Sequence, residues 1–115
     1  MSIIIFNKLN RSLKRIGHAI IQILNQYNIE YKEQLSVKPY RIDLCLTKLK
    51  IAIEVDEKNH MDRDKDYEYE RQKFIESFGY EFIRIDPDSD DFNLDDTLVK
   101  IDAYIRKKVD MMNVS

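Results

Sequence analysis

Two short runs constrain the fold of this chain more than any other feature: Tyr40–Leu46 and Leu49–Asp56, separated only by Thr47 and Lys48. In the first, Ile42, Leu44 and Leu46 alternate with Arg41, Asp43 and Cys45. In the second, Ile51, Ile53 and Val55 alternate with Ala52, Glu54 and Asp56. Period-two alternation sends the two sets to opposite faces of a pleated strand, and so short a connection predicts an antiparallel hairpin. With the turn centred near residue 48, Asp43 faces about residue 53 and has Glu54 as its near neighbour. Facing side chains in such a pair lie roughly 5 Å apart at Cβ. Asp43, Glu54 and Asp56 are thereby expected on one face.

Like charges on adjacent strands repel, so this grouping asks for a cation. A hard divalent ion, Mg²⁺ or Mn²⁺, suits carboxylate oxygens, and the backbone carbonyl of Val55, between the two acids, is a further candidate ligand. Such an ion can lower the pKa of a bound water and offset charge developing on a phosphate. The competing reading is a solvated sheet face whose acids keep an edge soluble. On the repulsion argument, deleting one of these carboxylates leaves the fold intact or even stabilises it.

The remaining elements follow from periodicity. Leu13, Ile16, Ile20, Ile23, Leu24 and Tyr27 recur at steps of three and four, predicting a helix over about residues 10–26. Ile29, Tyr31, Glu33 and Leu35 change to period two, a strand ended by Pro39. A polar loop, Glu57–Asp64, precedes a helix over about 64–78 with Tyr67, Phe74, Ile75 and Phe78 as its apolar stripe, and Gly79 stands where a left-handed stop is wanted. Tyr80–Asp86 reads as a fourth strand. Asp91 or Asn93 can cap a last helix with the stripe Leu94, Leu98, Ile101, Ile105. The order αβββαβα predicts an α/β architecture, a mixed four-stranded sheet flanked by helices. Tyr27, Tyr31, Tyr40 and Tyr67 read as core.

Composition sets the outer bounds. The 115 residues fit one domain, 1–115, with two Gly, two Pro, no linker and no repeat. No apolar run approaches the roughly 18 residues of a membrane span, and the N-terminus lacks the pattern of a secretory signal. A single cysteine, Cys45, excludes an intrachain disulfide and a cysteine zinc site, which points to a reducing compartment: cytoplasm, nucleoid or nucleus, and not secretion. The net charge of −2 hides an asymmetry, because residues 1–50 carry nine Lys or Arg against three acids and residues 51–115 carry ten against eighteen. A basic first half could follow a phosphate backbone; uneven scatter in a short chain explains the same counts.

The string Tyr-Arg-Ile-Asp-Leu at 40–44, followed by Ile-Ala-Ile-Glu-Val-Asp-Glu-Lys-Asn-His at 51–60, resembles the PD-(D/E)XK nuclease superfamily. The branch it is most similar to is that of the very-short-patch repair (Vsr-like) endonucleases and related phage and large-virus domains. In that branch an Asp on the second strand is followed by Glu-x-Asp on the third and a His a few residues on. Asp43, Glu54, Asp56 and His60 occupy those positions. The likeness continues through Glu70-Arg71 and Gly79–Arg84, covers roughly residues 15–105, and extends to the αβββαβα order, the superfamily's restriction-endonuclease-like core. It implies a metal-dependent DNA endonuclease that hydrolyses phosphodiester bonds, nicking one strand or cutting both. Two departures stand out. Asp56 replaces the superfamily's lysine, as the branch leads one to expect, and Gly17-His18 occupies the region where relatives present a helix-one Glu. The alternative is a catalytically inactive nuclease-like module that binds DNA or protein.

By the resemblance, His60 is a general base or holds the attacking water or leaving group; otherwise it is an ordinary loop histidine. Arg71 could contact the scissile phosphate bidentately or pair with Glu68 or Glu70. Arg84 could do the same or pair with the carboxylate face. His18 could ligate the metal or touch phosphate, or be solvent-facing. Lys48 and Lys50 stand at the hairpin turn, and Arg11, Lys14 and Arg15 form a basic helix end, all candidate backbone contacts to DNA. Asp86-Pro-Asp-Ser-Asp-Asp lacks the glycine and terminal Glu of a Ca²⁺ loop and reads as a strand exit and cap. With no appended recognition domain, specificity would come from loops, a partner, or pairing of two chains in a homodimer.

Overall fold

The hairpin forms in the expected sense. In the computed structural model, which describes residues 11–55 and 65–113, Leu44, Cys45 and Leu46 face Ile53, Ala52 and Ile51 in an antiparallel ladder. The elements are α1 (Arg11–Gln26), β1 (Lys32–Val37), β2 (Tyr40–Leu46), β3 (Ile51–Val55), α2 (Lys65–Glu76), β4 (Glu81–Ile85) and α3 (Leu94–Met112). The sheet order is β1-β2-β3-β4, antiparallel except for β3 and β4, which run parallel with α2 between them in the chain. A mixed four-stranded sheet flanked by helices is therefore what the αβββαβα pattern produces. The hairpin turn is longer than Thr47-Lys48: residues 47–50 form it, and Lys50 takes a φ of +60° at its end.

One sheet face is covered by α1 and α3. Ile16, Ile20 and Leu24 of α1 pack with Leu44, Leu46, Ile51, Ile53, Val55 and Ile85 of the sheet and Ile101 and Ile105 of α3. The 3.6-residue period of both helices explains which residues these are. α1 stops because Asn28 adopts φ +57°, and Ile29 N–H and Asn28 N–H return to the carbonyls of Leu24 and Asn25 at 2.8 and 3.2 Å. That is a Schellman closure with Asn in the left-handed position. α3 starts at Asn93, whose side chain accepts from Asp96 N–H at 3.0 Å, so Asn93 is the cap and Asp91 is not.

The other face is smaller and more polar. Ile42, Cys45 and Ala52 pack there with Ile75 of α2, with Tyr80 and Phe82 alongside. Two expectations are corrected here. Ile42 belongs to this cluster and not with Leu44 and Leu46. Between the pairs Glu33–Leu44 and Leu35–Ile42, Gln34 leaves the extended region with φ +56°, so the backbone departs from a regular pleat at this step. Second, the buried residues of α2 are Arg71 and Ile75, whereas Tyr67, Phe74 and Phe78 are exposed. Their rings, with Tyr40, form an edge-packed row with centroids 5.3–5.7 Å apart. Tyr67 is therefore not core. Gly79 ends α2 with φ +93°, as its position led us to expect. Among the described residues no helix is long and apolar enough to cross a membrane.

Candidate functional site

The site is a row across the sheet. The β3–β4 register sets Glu54 beside Arg84, and Asp43, one residue before Leu44 where the β2–β3 ladder ends, is near enough for its charge to act on Arg71. The face is that of Ala52, two residues earlier on β3, and α2 covers it. All five β3 residues are buried, and Glu54 is only 4% exposed. A carboxylate so far from water requires compensation.

Two arginines supply it. Arg71 Nη1 donates to Glu54 Oε1 at 2.9 Å, and Arg71 Nη2 donates both to Glu54 Oε2 and to the Arg41 carbonyl oxygen, the latter at 2.7 Å. Arg84 Nη1 donates to Glu54 Oε1 at 3.1 Å, while its Nε and Nη2 donate to Gln72 Oε1 at 3.3 and 2.8 Å. Gln72 in turn donates to Glu76 at 3.1 Å. Burial alone would pull the Arg71 pKa down. The hydrogen bond and charge of Glu54, with the charges of Glu68 and Asp43, outweigh it, and the net shift is upward. Arg71 is thus held firmly as a cation, and it feels Asp43 as well as Glu54.

This geometry revises one expectation. Glu54 is not a repelled acid whose removal would relieve the fold, because deleting it would strand the buried Arg71 guanidinium. It also answers the question of partners: Arg71 and Arg84 both turn to Glu54. Gln72, which steadies Arg84, was not singled out in the sequence. A signal existed, since Arg71 and Gln72 share the stripe of Ile75, and a charged residue in a buried stripe needs a partner on the facing sheet.

Not every candidate converges. Asp56 and His60 lie outside the described residues. Val55 is described and buried. Among the described residues no group of three or more His, Cys, Asp or Glu side chains gathers, so Asp43 and Glu54 are the two acids of the proposed metal set that can be placed. His18 and Arg15 are exposed on α1, the helix that covers the opposite sheet face. Arg11 and Lys14 lie in the first turn of that helix. Lys48 pairs with Glu30 at 3.7 Å, and Lys50 lies 4.8 Å from the centre of the Tyr80 ring. Both lysines are at the turn, and Lys50 is four residues along the chain from Glu54, about 13 Å at the rise of a strand. They mark the other end of the hairpin from the acid row. The Asp86 segment is a turn: Asp86 accepts from Asp88 N–H at 3.1 Å, and Ser89 bonds Asp91.

Known proteins agree with this architecture. Among curated proteins, an uncharacterized protein of Haemophilus influenzae is 36% identical over 73 residues, 64% of this chain and 46% of that protein. The chain therefore spans about half the length of the curated relative it matches. Among solved structures, the catalytic domain of homing endonuclease I-Bth0305I aligns with a TM-score of 0.55 at 25% identity, covering 85% of this chain and 95% of that one. The family model REase_MTES_1575 matches residues 17–107, which include Asp43, Glu54, Arg71 and Arg84. The chain belongs to the REase_MTES_1575 family and has a restriction-endonuclease-like fold.

Proposed function

We propose that this chain is a metal-dependent endodeoxyribonuclease, of the Vsr-like branch, that hydrolyses DNA phosphodiesters at the Asp43–Glu54 row. The observation that carries the reading is the centre itself: a buried carboxylate, Glu54, bonded by two guanidiniums, with the charge of Asp43 acting on one of them. Its donors are hard oxygens, which fit Mg²⁺ or Mn²⁺. Asp43, Glu54, the Val55 carbonyl and Asp56 would hold the ion. When bound, it would supply an activated water and offset charge on the phosphate. The chain's own groups do the rest. Arg71 fixes the Glu54 carboxylate in place, Arg84 brings positive charge to the edge of the row, and His60 serves proton transfer. The likeness to a homing endonuclease catalytic domain and membership of a restriction-endonuclease-like family support nuclease chemistry with DNA as substrate. We assign the remaining basic candidates, Arg11, Lys14, Arg15, His18, Lys48 and Lys50, to contacts outside the reacting centre. A homodimer would provide for cutting both strands, within a single domain spanning 1–115.

One observation favours a second reading. The Glu54 carboxylate already has two guanidinium partners, which is also what a structural ion-pair centre in a silent DNA- or protein-binding module would look like. Incubation with supercoiled plasmid, single-stranded DNA and RNA, in Mg²⁺, Mn²⁺ or EDTA, decides between them. Cation-dependent cleavage of DNA supports the nuclease. Intact substrates with every cation, from a folded sample, leave the silent module.

A further inference from the structure

The apolar surface that this fold leaves open is concentrated on one helix. Among the described residues, the large apolar side chains that stay exposed are Tyr67, Tyr69, Phe74 and Phe78 on or just after α2, and Val99, Met111 and Met112 on α3. Tyr67, Phe74 and Phe78 form one continuous row with Tyr40 of β2, each ring packed on a neighbour. Contiguous exposed apolar patches mark interaction surfaces, and rings already fixed by one another lose little freedom when covered. Nucleic acid is a poor match for this one. α2 carries Asp66, Glu68, Glu70 and Glu76 against Lys65, Arg71 and Lys73, and Arg71 is committed to Glu54. A phosphate backbone would meet a helix of net negative charge. Strand addition alongside is also discouraged, because β1 breaks its pleat at Gln34 and is flanked by exposed Lys32 and Lys38.

The charges beside the row fit a second copy of this chain. Tyr67 and Phe74 are two helical turns apart, and so are Asp66 and Lys73, which lie exposed along one edge of the row. When two α2 helices meet antiparallel about a two-fold axis, setting Tyr67 of one against Phe74 of the other also brings Asp66 of one beside Lys73 of the other. The symmetry makes every such pair twice. We infer that the protein pairs with a second copy of itself through this aromatic row, α2 antiparallel to α2. The inference gives the homodimer of the nuclease reading its surface, and it needs neither metal nor activity. Lys73 is available for the exchange: within the chain it stands 3.9 Å from Glu76 with its side chain 60% exposed, a contact that costs little to give up. The area sets the strength. Three half-exposed rings offer on the order of 300 Å² per chain, against roughly 800 Å² per partner in a standard interface. The dimer is therefore weak, with a dissociation constant in the micromolar range.

Sedimentation equilibrium of the full chain, without DNA or added cation and over roughly 1–500 µM, tests the pairing. Wild type is compared with Tyr67→Ser, Asp66→Lys, Lys73→Glu and the double variant Asp66→Lys/Lys73→Glu, each shown by circular dichroism to be folded. Wild type should pass reversibly from monomer to dimer. Tyr67→Ser removes an aromatic anchor at the centre of the contact and should weaken association about tenfold. Each single charge reversal sets like charges side by side and should weaken it about threefold or more. The double variant exchanges the two signs and should return to within about twofold of wild type. A wild type that stays monomeric throughout overturns the inference, and so does a dimer that a folded Tyr67→Ser leaves unchanged. A double variant no tighter than the single ones overturns the antiparallel arrangement. These charge variants, at exposed positions, keep the inference open to refutation even if Tyr67→Ser does not fold. Plasmid cleavage is scored separately: a monomer that cuts removes this inference and leaves the nuclease, whereas a dimer that never cuts supports the pairing and removes the nuclease.

Discussion

Glu54 owes its place to two neighbours that lie far from it in sequence, seventeen and thirty residues away. Removing one partner of a buried pair leaves the other charge uncompensated, a cost of about 3–5 kcal/mol. Glu54→Ala should therefore lower stability by roughly that amount in urea titrations, against at most about 1 kcal/mol for Arg84→Ala, whose side chain meets solvent. Replacing Glu54 and Arg71 together by apolar residues of similar volume should recover much of the loss, because no unpaired charge remains. The face of Glu54 was legible in the sequence because β3 keeps its alternation with Ala52; that of Asp43 was less so, because the alternation of β2 breaks between Ile42 and Leu44. The pairing of Arg71 and Arg84 with Glu54 was open, because helix periodicity states which residues of α2 face inward without stating which strand residue waits beneath them.

At the scale of elements, α1 and α3 follow their apolar periods closely, β2 breaks its alternation at Ile42, and α2 departs from its expected stripe. Its aromatic residues suggested a stripe through Tyr67, Phe74 and Phe78, yet its inner face is Arg71 and Ile75. The reason is what it covers: a helix over an acid row must present a cation there, and the apolar letters fall to the outside. Ile75→Ala should cost roughly 2–5 kcal/mol, as large-to-small changes in a buried site do. Phe78→Ser, at an exposed ring, should change stability by less than about 1 kcal/mol. Comparable losses from the two changes, measured by thermal unfolding, would mean that α2 docks through its aromatic row after all.

For the molecule as a whole, the charge asymmetry along the chain does not become two faces. β2, from the basic half of the sequence, lies directly against β3, from the acidic half, so a count by halves could not show where DNA would lie. The sheet's second face also carries a pH dependence. Burial pushes the Cys45 thiol above its ordinary 9.0, and burial, followed by the hydrogen bond with Cys45, pushes Tyr80 up to about 12. Both groups hold their protons more tightly in the folded state than in the unfolded one. Their contribution is complete below the unfolded values and is lost as pH rises through about 9 and above. Thermal stability should fall across that alkaline range, and less steeply in Cys45→Ala. An unchanged slope in that variant would place the alkaline sensitivity elsewhere.

The measurement that bears most directly on the proposed chemistry is nicking of supercoiled plasmid by wild type and Asp43→Asn at equal concentration in Mg²⁺. Asp43 is half-buried and its charge acts on Arg71, and the Asn variant keeps its shape while removing its charge. Wild type should nick in a cation-dependent way, and the folded variant should lose at least about 100-fold in rate, a difference of several kcal/mol in transition-state stabilisation. Nicking by Asp43→Asn at the wild-type rate would contradict this and move the chemistry away from the Asp43–Glu54 row.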